Sequence, residues 1–171
     1  VTAVLRNIEN AMQPWESVPG RNALAAVFGK PTNDYLTTAV SVVSSTALVD
    51  SGLSIQLAPG RHFISMYAPL TLAAASNIKL GFYSPDGGVA NSVSLSVQLL
   101  ASALAAQGML TALGATIGGG ASGVWTALQV FGTIDMQVGG TLMFQFAQNA
   151  SGATATVVGA GAALMTDPIT P

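Results

Sequence analysis

The stretch GTLMFQFAQNASGATATVVGAGAALM, residues 140–165, holds no formal charge and alternates in steps of two. Leu142, Phe144 and Phe146 interleave with Thr141, Met143 and Gln145. Successive side chains of a β-strand point to opposite faces, so this alternation predicts a strand with one apolar face. Gln148-Asn149-Ala150-Ser151-Gly152 then reads as a turn, and a second, light, β-branched run follows. Two uncharged strands in succession need something to cover them.

The same period runs outward through the chain. Val93, Leu95, Val97 and Leu99 alternate with Ser94, Ser96 and Gln98. Ile78, Leu80 and Phe82 oppose Lys79 and Tyr83. Phe63, Ser65 and Tyr67 oppose His62, Ile64 and Met66. In VWTALQVFGTIDMQV, Leu128, Val130, Ile134 and Met136 share one face; Gln129, Phe131, Thr133 and Asp135 share the other. Turn signals punctuate these runs: Asp50-Ser51-Gly52, Pro59-Gly60, Pro85-Asp86-Gly87-Gly88 and Gly139-Gly140. ASALAAQGMLTALGATI reads as a strand, a bend near Gln107-Gly108 and a further strand, and Asp167-Pro168 reads as the end of the last one. Some eight to ten strands with short turns and no alternating helices predict an all-β, antiparallel sandwich over residues 36–171.

Residues 1–35 differ. They hold Arg6, Glu9, Glu16, Arg21, Lys30 and Asp34, half of the twelve charges of a 171-residue chain, together with three prolines. Val4, Ile8 and Met12 fall at helical spacing, ALAAVFGK is a short helical pattern stopped by Gly29 and Pro31, and Trp15 stands between Pro14 and Glu16. The segment reads as an N-terminal arm. It either folds back on its own domain or anchors on a neighbouring subunit, with Val4, Ile8, Met12, Trp15 and Phe28 as the anchoring side chains.

Charged residues make up 7% of the sequence, against roughly 25% in an average protein. Small residues abound, 28 Ala beside 19 Gly, and Ser, Thr, Asn and Gln carry the polarity. A net charge of −2 and five scattered basic residues argue against nucleic acid as a partner. No cysteine is present, so there is neither a disulfide framework nor a thiolate metal site. No apolar h-region of a signal peptide is visible. The uncharged run 87–134 is broken by Gln, Ser and Gly, so it does not read as a membrane span.

Catalytic chemistry finds no pattern. His62 is the lone histidine, no Ser lies in a G-x-S-x-G elbow, and the seven carboxylates share no local motif. GGGASG at 118–123 fits the letters of a dinucleotide loop but no helix pattern follows it. Asn149-Ala150-Ser151 has the letters of a glycosylation sequon and reads as a turn. The expectation is a non-enzymatic protein without cofactor or metal.

The order LVDSGLSIQLAPGRHFISMYAPL, IKLGFYS, then VFGTIDMQVGGTLMFQFAQNASGATATVVGAGAAL resembles the trimeric jelly-roll modules of phage structural proteins. Those are in turn similar to tumour necrosis factor-like and complement-type heads. Gly52-Leu53, Pro59-Gly60, Gly139-Gly140-Thr141-Leu142, Gln145 and Ala147-Gln148-Asn149 carry the resemblance, which covers about residues 36–167; Gly161-Ala162-Ala163 departs from the usual Ser and large residue of the final strand. The resemblance implies a jelly roll, a homotrimer and a place on the virion surface after synthesis in the host cytoplasm. It implies either a capsid decoration (cement) protein bound to the major capsid protein through the arm, or a receptor-binding tip that reads host glycan or protein through loops such as 85–92 or 118–123. Small, uncharged outer faces suit close subunit contact, because burying an unpaired charge is costly. Tyr83, Phe131, Gln129, Met143 and Gln145 are the expected trimer-contact residues.

Overall fold

The computed structural model describes residues 32–72, 78–100, 106–119 and 127–169. Twelve strands form among them, against the eight to ten expected: β1 (Thr32–Tyr35), β2 (Val40–Val42), β3 (Val49–Leu57), β4 (Gly60–Thr71), β5 (Ile78–Tyr83), β6 (Val89–Leu100), β7 (Ala106–Leu110), β8 (Thr116–Gly119), β9 (Ala127–Val138), β10 (Gly140–Gln148), β11 (Thr156–Val158) and β12 (Ala163–Ile169). The excess is short edge pieces. YLTTAVSVV, for example, is not one strand but the end of β1, a bend and β2.

All pairings are antiparallel. One sheet runs β1-β12-β4-β9-β6-β7, with β11 bridging β2 and β4; the other runs β3-β10-β5-β8. Successive strands cross between the sheets: β3 small, β4 large, β5 small, β6 large, β8 small, β9 large, β10 small. This is a jelly-roll sandwich. Gly139 alone joins β9 to β10, which lie in different sheets, so the reversal expected there is a corner and not a hairpin. A Cβ at Gly139 would stand 2.7 Å from the Leu57 carbonyl oxygen, which explains glycine at the corner.

The core lies between the sheets and follows the alternation read from the sequence. Leu53, Ile55, Leu80, Phe82, Leu142, Phe144 and Phe146 from the small sheet meet Ile64, Met66, Leu95, Val97, Leu128, Val130, Ile134 and Leu164 from the large one, all buried. Phe144 centres the aromatic part, with ring centroids 5.4 Å from Phe82 and 6.3 Å from Phe146. Each such side chain contributes about 1.5–3 kcal/mol by leaving water. A one-residue slip would turn a whole face outward, so the register is strongly held.

Three local expectations need correction. Asp50-Ser51-Gly52 is not a turn: it lies inside β3 as a bulge. Between the pairs Met143↔Ser54 and Gln145↔Asp50, β3 advances four residues while β10 advances two. Gly52 takes φ +90°, and Ser51 fills the gap in the ladder, its Oγ donating to the Phe144 carbonyl (2.8 Å) and accepting from Leu53 N–H (3.1 Å). Gln107-Gly108 is not a bend but part of β7; the reversal comes at Ala112–Gly114, with Gly114 at φ +80°. At Gly108 a Cβ would sit 3.0 Å from Ile117, so the missing side chain admits the neighbouring strand. Asp167-Pro168 does not end β12, which continues to Ile169, with Pro168 opposite His62 of β4.

The sandwich also begins earlier than residue 36. β1 pairs with β12, and Asp34 fastens it across the gap, accepting from Ser54 N–H on the free edge of β3 (2.8 Å). The described residues between Thr32 and Ile169 fall in one unit. The expected anchors Val4, Ile8, Met12, Trp15 and Phe28 lie outside the described residues.

Candidate functional site

Each sheet has an outward face, and the two differ. On the large sheet the register sets side chains in rows. One row runs Asn33, Met165, Ser65, Phe131, Ser96, Met109 from β1 to β7. The next runs Tyr35, Ala163, Tyr67, Gln129, Gln98. Neither row holds a formal charge. Phe63 adjoins the first row through the pairs Asp167↔Phe63 and Phe63↔Thr133. The Phe63 row holds the exposed Asp167, and Arg61 pairs with Asp135 one row further.

These rows expose large apolar groups. Tyr35 is 63% exposed, Tyr67 45%, Phe131 41% and Met109 56%. With strands about 4.8 Å apart, six of them make a band roughly 25 Å wide. Large apolar groups exposed on neighbouring strands of one face mark interaction surfaces in a way that scattered ones do not.

The small sheet's outer face is polar. Asp50 on β3 accepts from Gln145 Nε2 (2.7 Å) and from the Tyr83 hydroxyl (3.0 and 3.2 Å), joining three adjacent strands. Desolvation, and then the Asp50 carboxylate that both accepts its hydrogen bond and repels its anion, push the Tyr83 phenol above its ordinary range. Met143 lies opposite Tyr83 in the β10–β5 ladder, and Lys79 donates to the Thr46 carbonyl.

The expected contact residues therefore split. Phe131 and Gln129 stand side by side in the rows of the large sheet, whereas Tyr83, Met143 and Gln145 stand on the opposite surface of the sandwich. All five point outward, as their strand phases predict. Which sheet each strand joins depends on pairing between distant segments, and a period of two is silent on that. Tyr35, Tyr67, Met165 and Met109 belong to the apolar band and were not singled out by sequence. For Tyr67 the signal was present: it alternates with buried Met66 in the same phase as Phe63.

At one end of the small sheet, the Pro85-Asp86-Gly87-Gly88 turn closes on β10. Asp86 accepts from Thr141 N–H (2.9 Å to each oxygen), Thr141 Oγ1 (2.7 Å) and Ser84 Oγ (2.8 Å). Chiefly the Thr141 and Ser84 hydroxyls, and then the Thr141 N–H, lower its pKa from 3.8 to about 2. A carboxyl depressed in the folded state stabilises the fold above its unfolded value and loses that contribution as pH falls through its folded value. The clasp should thus be intact above about pH 4 and open as pH falls through about 2. Carbon-detected titration of the Asp86 carboxyl is expected to give a midpoint near 2, and Asp86→Asn should flatten the loss of stability in that window. A midpoint near 4 would show that these hydrogen bonds are not held in solution.

His62 is buried, its Nε2 donating to the Ala58 carbonyl (2.8 Å). Among the described residues no three His, Cys, Asp or Glu side chains group as a metal site, and no helix is long and apolar enough to cross a membrane.

No protein-family model matches the chain, and no curated protein does. Among solved structures it is similar to VP2 of infectious bursal disease virus in a subviral particle, at 9% identity and a TM-score of 0.23. The match covers 83% of this chain and 42% of VP2, so the chain spans less than half the length of that protein.

Proposed function

We propose that this is a non-enzymatic structural protein of a phage virion, a homotrimer that decorates and stiffens the outside of the head. The uncharged aromatic band of the large sheet carries this reading. Tyr35, Tyr67, Phe131 and Met165 face water in a single chain, and trimer contact would cover them without burying a charge. The sequence resemblance to trimeric jelly-roll modules of phage points the same way. The segment ahead of β1 would grip the major capsid protein. Apolar and hydrogen-bonded contacts spanning subunit joints would then resist the outward pressure of packed genome.

The test is sedimentation of the full chain with empty, expanded capsids beside a variant lacking residues 1–30, which keeps β1. The full chain should co-sediment, and the shortened chain should stay in solution while keeping the trimer mass. Undiminished binding by the shortened chain would overturn the anchoring role. Attachment of the full chain to host cells and not to capsids would replace decoration with receptor recognition.

A further inference from the structure

A cleft of about 370 Å3 opens on the large sheet's edge, between the start of β6 and the β7–β8 turn. Its origin is topological. β7 pairs with β6 only from Leu110↔Leu95 onward, so the residues of β6 before Leu95 lose that neighbour. In the same stretch β6 is doubly irregular against β9: the pairs Val89↔Val138, Ala90↔Met136 and Ser92↔Asp135 leave Asn91 without an opposite number. Bulges of this kind re-aim side chains and recur beside binding sites.

The walls are held before any ligand arrives. On one side Gly88 N–H donates to Ser84 Oγ (3.0 Å), and Ser84 Oγ donates to Asp86, itself clasped by Thr141. On the other, Gly114 N–H donates to the Phe82 carbonyl (2.8 Å) and Ala115 N–H to that of Ala112 (3.3 Å). Between them the lining mixes Val89, Ala90 and Leu113 with Asn91, Ser92 and Thr111, and no lining residue is charged. The side chains of Asn91, Ser92 and Thr111 hold no hydrogen bond among the described residues.

We propose that this cleft binds one or two rings of an uncharged saccharide. The lining carries no charge to balance an ionic ligand. Its apolar patches suit the C–H faces of a sugar, and an amide and two hydroxyls are free to meet its hydroxyl groups. The volume lies at the small end of ligand clefts, roughly 300–1,000 Å3, too small for a folded partner. Preformed walls spare the ordering cost of binding. Its lining belongs neither to the two rows of the apolar band nor to the segment ahead of β1.

The probes are the methyl glycosides of glucose, galactose, N-acetylglucosamine and rhamnose, titrated into the isotopically labelled full chain and followed by amide chemical shifts. At least one should give saturable shifts confined to residues 88–93 and 111–113. Asn91→Ala, which removes an exposed and unbonded side chain, should weaken that binding about five- to tenfold, the worth of one hydrogen bond. No saturable shift with any of the four would overturn the proposal, as would binding indifferent to Asn91→Ala. So would glucuronate binding more tightly than the neutral glucoside.

Discussion

Gly132→Ala is expected to be the most damaging single-methyl change in the described fold, costing about 3–5 kcal/mol and leaving little folded protein on expression. Gly132 sits mid-strand in β9, paired with Ile64 on one side and Leu95 on the other. With φ at +153°, its Cβ position falls on β6, onto the Ser94 carbonyl oxygen and 3.0 Å from Leu95 Cα. The obstacle is backbone in a central ladder, so no rotamer change relieves it. Gly60→Ala is the control: φ is +117° there too, but nothing lies within 4 Å of its Cβ position. That variant should lose only about 1–2 kcal/mol of backbone strain. Urea unfolding of both variants checks the pair. Equal losses would mean that conformation alone, and not the Ser94 contact, demands glycine at 132.

The second large effect concerns assembly. If the proposed trimer closes over the large sheet, Phe131→Asp should turn it into a folded monomer, read as a threefold fall in mass by native mass spectrometry. Phe131 lies in the middle of the apolar band, between Ser65 and Ser96, and is 41% exposed in the single chain. A carboxylate there leaves the sandwich itself unharmed. In the trimer, three of them would enter a water-poor contact with no basic partner in either central row, at several kcal/mol per ion. Tyr83→Asp, on the opposite surface, should leave the mass unchanged. The reverse pattern, a trimer that survives Phe131→Asp and falls apart with Tyr83→Asp, would move the contact to the small sheet.

The alternation of Leu142, Phe144 and Phe146, or of Val93, Leu95 and Val97, was enough to assign inner and outer faces, because apolar burial at a period of two is a local property. What escaped the sequence was non-local. Asp50-Ser51-Gly52 has the letters of a turn, yet β10 lies alongside and Ser51 repairs the ladder through the Phe144 carbonyl, so a bulge wins. Gln107-Gly108 looked like a bend until Ile117 supplied a reason for a strand glycine. Strand phase picks out the candidate contact residues one at a time and not as a set. Phe131 and Tyr83 have the same phase but are sorted into different sheets by pairings that span most of the chain. The apolar band and the cleft beside Asn91 exist only once those pairings are made.

The place of β1 has a consequence for synthesis. Among the described residues its one ladder neighbour is β12, Thr32 against Thr166, so the flank of the large sheet stays open until the far end of the domain leaves the ribosome. Contacts between segments so remote along the chain slow folding and delay closure until translation of the domain is over. During that interval β1 and the side of β4 that β12 will cover are unpaired, and either is a template for a neighbouring nascent strand.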